Sequence, residues 1–235
     1  MSPYPPFPIF TFIGFFIHLA VFFAIAVRFL KRWQSSTFMY LGCAALADSL
    51  NFLLVLVLFF AFPNTLTKAN IFLFNALVIK PLVSIFAIMA LMSLGKKTAK
   101  FAWVFFAIAL AVVFLLYWQT FQKFQIPPVE FAYVHPVYPK LVTASEASGT
   151  VGAWVLAIFF LYHAFSGTMI MRRRALVLAS AMFLLGISSL YWISVEPVLY
   201  ILTHAIGPLG SLLLAAGVFM FESKETAFAD GDVVL

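Results

Sequence analysis

The sequence predicts an all-α membrane protein: a bundle of seven transmembrane helices with the N-terminus outside and the C-terminus in the cytoplasm. Of the 235 residues, 65% are hydrophobic and only 9% are charged, and the mean hydropathy is +1.09. The apolar residues form long unbroken stretches, and the basic residues concentrate in alternate connecting segments. These three observations carry the prediction.

The low charge content excludes whole classes of protein. A soluble domain carries about 25% charged residues because its surface must be solvated. The chain is therefore not expected to be a soluble enzyme, a DNA-binding module or a disordered linker. Its one cysteine, Cys43, excludes an intrachain disulfide and a thiolate metal cluster.

The apolar stretches have the length of membrane-spanning helices. A helix crosses about 30 Å of hydrocarbon with about 20 residues, whereas a barrel strand would show alternating polarity over about 10 residues. Residues 1–221 are thus expected to form a single transmembrane domain, followed by a short cytoplasmic tail, 222–235. The first stretch lacks the basic start and cleavage site of a signal peptide, so we expect it to be retained. The seven predicted spans are 7–29, 37–62, 71–94, 101–118, 148–171, 175–194 and 199–221.

The distribution of Lys and Arg predicts the orientation, because short cytoplasmic loops are enriched in these residues. Three residues fall on the predicted outer side: Lys68, Lys123 and Lys140. The net charge of +6 is therefore interpreted as an insertion signal for a multi-pass protein of the plasma (inner) membrane, and no nucleic-acid partner is expected. The predicted inner side holds Arg28, Lys31, Arg32, Lys96, Lys97, Lys100, Arg172, Arg173, Arg174 and Lys224.

The longest predicted loop, 119–147, lies on the outer side and combines four prolines with several aromatic residues. Such a segment is expected to lie among the lipid headgroups, with a lid over the bundle as the alternative. Its role stays open at this point.

Polar residues inside the predicted spans are the most informative feature, because a charge at bilayer depth costs about 2.5–3.5 kcal/mol on insertion scales. Asp48 in the second span and Lys80 in the third both fall near the midplane, at heights within roughly one helical turn. We expect them to pair. Asn51 follows Asp48 by three residues on the same helix face, and His18 in the first span lies at similar height. Asn75 is a lesser member of this polar set.

Pro81 directly follows Lys80. A proline inside a helix removes one backbone hydrogen bond and kinks the helix. A break of this kind next to a charge is how transporters commonly form substrate and ion sites. The pair is equally compatible with a purely structural role, since buried ion pairs also fix which helices are neighbours.

The leading functional hypothesis is that the site of Asp48, Lys80, Asn51 and His18 binds or translocates a proton, an ion or a small solute. One alternative is a non-catalytic accessory or sensory subunit of a larger membrane complex. Another is a haem b electron-transfer subunit with His18 and His163 as axial ligands. No cofactor is expected under the leading hypothesis, and the histidines lack the spacing of a zinc site. The expected partners are the lipid bilayer and a second membrane protein or another copy of the chain.

The predicted orientation can be tested with single cysteines in a Cys43→Ala background. We expect Lys123→Cys to react with a membrane-impermeant maleimide in intact cells, and Lys97→Cys to react only after permeabilisation. The reverse pattern would contradict the orientation.

Overall fold

The computed structural model describes residues 9–60, 71, 73–123, 140–166, 169–192 and 197–219. Within these ranges the chain is helical and contains seven α-helices and no strand. The predicted tail, 222–235, and most of the predicted outer loop, 124–139, lie outside the described residues.

All elements of the described part of the chain are helices, and they follow one another in this order. The α-helices are α1 (Ile9–Leu30), α2 (Ser36–Phe60), α3 (Lys80–Leu94), α4 (Ala102–Lys123), α5 (Lys140–Ser166), α6 (Met169–Ser188) and α7 (Pro197–Phe219). A π-helical turn, Asn75–Ile79, leads directly into α3, and short 3₁₀ segments lie at Ala99–Phe101 and Ser189–Trp192.

Four helices in the described part of the chain are long and apolar enough to cross a membrane. Their apolar ranges are Phe12–Leu30, Ser36–Val57, Asn75–Leu94 and Ala99–Phe121. Two further helices have shorter apolar ranges, Gly149–Phe165 and His204–Phe219. The all-helical class and an apolar, membrane-compatible surface therefore agree with the sequence prediction.

Several helix ends differ from the predicted span ends. The fifth helix begins at Lys140, whereas the span was predicted from 148, and the sixth begins at Met169, whereas the span was predicted from 175. Helix ends depend on backbone hydrogen bonds, which continue through polar turns, whereas the predictions followed the apolar residues. The first turns of α6 include Arg172–Arg174 for this reason.

The helices pack into a closed circuit. α1 contacts α2 and α7, α2 contacts α3, α3 contacts α5, and α6 packs between α5 and α7. α4 lies outside this circuit and packs mainly on α3 and the π turn. Only 11% of its apolar range is buried, so most of its surface is available to lipid.

Two clusters of buried side chains hold the bundle together, and α2 contributes to both. The first joins α1, α2, α6 and α7 and comprises Phe22, Ile25, Ala26, Ala45, Leu178, Ala181, Leu214 and Val218. The second joins α2, the π turn, α3 and α4 and comprises Tyr40, Val78, Ile85, Met89, Ala90, Ala102 and Val113. The face of α2 between these clusters is where its polar residues lie.

Glycines allow close approach where large rings cross between helices. A Cβ atom added at Gly186 of α6 would collide with the indole ring of Trp154 on α5. The same substitution at Gly207 of α7 would bring Cβ to 2.9 Å from Nε2 of His18 on α1. Gly149, in contrast, has no atom within 4 Å of such a Cβ.

We therefore expect Gly186→Ala to lower the free energy of unfolding by about 1–3 kcal/mol through overpacking. Gly149→Ala is the matched control, and it should be neutral or slightly stabilising because alanine favours the helix. Unfolding of both variants in mixed micelles measures the difference. Equal stability of the two variants would contradict the described α5–α6 contact.

Candidate functional site

The polar residues of α2 form the start of a buried hydrogen-bonded chain. Asp48 and Asn51 lie three residues apart and share one helix face. The Asn51 Nδ2 atom donates to Asp48 Oδ1 at 3.4 Å, the longer of the two links in the chain. Asn51 is 4% exposed, and Asp48 is half-buried. The predicted proximity of these two side chains is therefore present in the structure.

The π turn supplies the next member of the chain. Nδ2 of Asn75 donates to Oδ1 of Asn51 at 2.9 Å, and the Asn75 side chain is 2% exposed. All five residues of the turn, Asn75–Ile79, are buried. The hydrogen-bonded series Asp48–Asn51–Asn75, called here the amide chain, thus links α2 to the segment that precedes α3.

The direction of the amide chain follows from the chemistry of its first member. An ionised carboxylate only accepts hydrogen bonds, whereas each carboxamide has one accepting oxygen and one donating nitrogen. Asn51 must therefore direct Nδ2 at Asp48, which leaves its Oδ1 to accept from Asn75. The Oδ1 atom of Asn75 is then the end of the series, and it is buried without a hydrogen-bond partner in the described part of the chain. An unsatisfied buried acceptor costs about 1–3 kcal/mol.

The predicted helix break at Pro81 takes the form of a widened turn. The backbone N–H of Lys80 donates to the carbonyl of Asn75, a span of five residues, and Ile79 and Lys80 keep helical dihedral angles. Pro81 occupies the first turn of α3, where a missing N–H is tolerated. The helix therefore continues through this region, and the irregularity lies before the proline. π turns are rare and are frequently found at functional sites.

Lys80 directly follows the π turn and is the first residue of α3. Its side chain is half-buried, and its positive charge acts electrostatically on the Asp48 carboxylate. The electrostatic effect is compatible with the pairing of Asp48 and Lys80, which stays a prediction. Their opposite signs offset part of the cost of removing each from water.

His18 is not a member of the amide chain. The imidazole is 6% exposed, and its Nδ1 lies 2.5 Å from the hydroxyl oxygen of Ser211 on α7. The ring stacks on Phe52 of α2, with centroids 4.4 Å apart and planes 9° apart. The sequence placed His18 at the height of Asp48 and Lys80, and the structure turns it towards α7 instead.

His163, the second residue of the haem hypothesis, has an exposed side chain that packs edge-on against Phe159. It lies on α5, which contacts α3 and α6, whereas His18 lies on α1, which contacts α2 and α7. The haem hypothesis stays a prediction with no further support from this arrangement. Among the described residues, no group of three or more His, Cys, Asp or Glu side chains is arranged to hold a metal ion.

The two helices that contact the π turn, α4 and α5, each carry a buried threonine, Thr120 and Thr150. Neither hydroxyl has a hydrogen-bond partner among the described residues. Asn75 is the member of the site that sequence reasoning ranked too low. Asn75 lies five residues before Lys80. In a regular α-helix these two residues would lie on different faces, and only a widened turn brings them towards the same face.

No protein-family model, curated protein or solved structure matches this chain.

The interaction between Asp48 and Lys80 can be measured with a double-mutant cycle. We expect Lys80→Met and Asp48→Leu each to lower the free energy of unfolding, by about 3–5 kcal/mol, because each leaves the other charge without its counter-charge. The double variant should recover a large part of this loss. Unfolding free energies that are simply additive would contradict the interaction.

Proposed function

We propose that this chain is a seven-span protein of the plasma (inner) membrane that binds or translocates a proton, an ion or a small solute. The site comprises Asp48, Asn51, Asn75 and Lys80, between α2 and the start of α3. The proposal keeps the predicted orientation, with the N-terminus outside and the C-terminus in the cytoplasm. Lipid acyl chains cover the exposed apolar surface, including most of α4.

The observation that carries the proposal is the Oδ1 atom of Asn75 at the end of the amide chain, to which none of the described residues donates a hydrogen bond. If the role of the site were purely structural, an ion pair of Asp48 and Lys80 would be enough. Such a role would not explain why the Asn75 carboxamide is buried with an unsatisfied oxygen. The lipid interior offers no hydrogen bond to such an atom. A ligand that reaches the site would satisfy it.

The surroundings of the site are consistent with this role. The π turn adds an irregular backbone segment next to two charges, the combination found in transporter sites near the bilayer midplane. His18 contributes indirectly, since its ring stacks on Phe52, the residue that follows Asn51. It thereby supports the face of α2 that carries the amide chain.

The test is proton flux in liposomes that contain the purified protein and an internal pH-sensitive dye. An imposed pH gradient should dissipate faster with the wild-type protein than in empty liposomes, because Asp48 can accept and release a proton. Asp48→Asn removes the titrating group and should abolish this flux. Retention of the flux by the Asp48→Asn variant would refute the role of Asp48.

Asp230→Asn is the matched control for that experiment. It makes the same chemical change in the predicted tail, outside the predicted spans, and should leave the flux unchanged. Thermal unfolding of both variants establishes that the loss of flux does not follow from loss of the fold.

A further inference from the structure

In the amide chain, both hydrogen bonds are donated in the direction of Asp48. We propose that protonation of Asp48 reverses this direction. The site then binds a small ammonium-type cation only while Asp48 is ionised. This inference deepens the proposed function, on which it rests. It assigns Asn75 as the residue that contacts the ligand, and Asn51 as the residue that transmits the state of Asp48 to it.

With Asp48 ionised, both links point their N–H groups towards the carboxylate. Hydrogen bonds aligned in one direction polarise one another. The negative charge of Asp48 therefore increases the electron density on the last oxygen, Oδ1 of Asn75. That atom is buried and has no donor among the described residues, so it favours a ligand that donates a hydrogen bond and carries a positive charge.

With Asp48 protonated, the carboxyl group gains an O–H donor. Rotation of the two carboxamides by half a turn then lets Asp48 donate to Asn51 Oδ1, and Asn51 Nδ2 donate to Asn75 Oδ1. The free end of the chain becomes the Nδ2 group of Asn75, which is a donor. A donor repels an ammonium group, and the polarisation of the acceptor is lost at the same time.

The charges around Asp48, like the hydrogen bonds, favour cation binding only while Asp48 is ionised. α2 packs against α1, the π turn and α3. The π turn has no titratable side chain, His18 of α1 hydrogen-bonds to Ser211, and Lys80 of α3 acts on the Asp48 carboxylate. Asp48 and Lys80 are neutral together when both are ionised. Protonation of Asp48 leaves a net positive charge, which opposes a bound cation.

The free acceptor also selects the class of cation. A bare alkali-metal ion requires several oxygens at once, as in a ring of carbonyls. An ammonium group instead binds through separate N–H donors, one of which Oδ1 of Asn75 would accept. Proton and ligand then exclude each other by linkage, which is the thermodynamic basis for exchanging one for the other.

The test uses binding of radiolabelled methylammonium to the full chain in lipid nanodiscs at about pH 8 and about pH 4. For the wild type we expect at least about tenfold tighter binding at the higher pH, the ratio for one charge-assisted hydrogen bond of about 1.4 kcal/mol. Ammonium chloride should compete, and sodium and potassium chloride at equal concentration should not. Asn75→Leu should lose the binding.

Asn51→Leu is the decisive variant because it cuts the chain and leaves Asp48 and Asn75 in place. The pH dependence of its methylammonium affinity should be clearly smaller than that of the wild type, because only the change in net charge of Asp48 and Lys80 remains. A pH dependence as large as that of the wild type would overturn the relay, while Asp48-dependent proton flux would still support the proposed function. Absence of methylammonium binding to the wild type, or equal competition by sodium, would overturn the ligand class. Loss of the flux dependence on Asp48 is the separate result that refutes the proposed function.

An infrared difference spectrum of the wild type tests the relay while Asn51 and Asn75 are both present. The protein is labelled with ¹³C in its asparagine side chains and compared at the same two pH values. We expect the asparagine carbonyl bands to shift together with protonation of a carboxyl group, and both changes to be absent in Asp48→Asn. Asparagine bands that do not change with pH would overturn the reversal.

Discussion

The absence of water in the hydrocarbon layer is the constraint on which the site depends. Every polar group there must find a partner within the protein. Asp48 accepts from Asn51, and Asn51 in turn accepts from Asn75, so one carboxylate fixes the orientation of two carboxamides. The series ends at an oxygen that the described residues do not satisfy. Both the proposed binding role and its dependence on protonation follow from that end.

The location of the amide chain follows from the packing of the bundle. α2 contributes to both apolar clusters, and its polar face lies between them. The π turn brings Asn75 to that face and is itself fully buried. α2 therefore carries both the buried apolar contacts of the two clusters and the first two members of the amide chain, whose two carboxamides lie 2.9 Å apart.

Neighbourhood along the helix axes was predictable from the sequence, and direction around the helix axis was not. Counting residues placed Asp48, Asn51 and Lys80 at neighbouring heights, and the structure brings the first two into contact and lets the third act on Asp48 electrostatically. The same counting placed His18 with them, yet its ring faces Ser211 because α1 packs on α7 as well as on α2. Asn75 depended on a π turn, which no simple periodicity of the sequence indicates. The ends of α5 and α6 were predicted less well, since polar turns extend both helices.

Solid-state NMR of the protein in lipid bilayers tests the central claim most directly. The chain contains only four asparagines, Asn51, Asn64, Asn70 and Asn75, so asparagine labelling with ¹³C and ¹⁵N gives few side-chain signals. The account predicts a cross-peak between the Asn75 side-chain nitrogen and the Asn51 side-chain carbonyl carbon, removed by Asn51→Leu. A spectrum in which these two groups show no mutual contact would contradict the amide chain and the function derived from it.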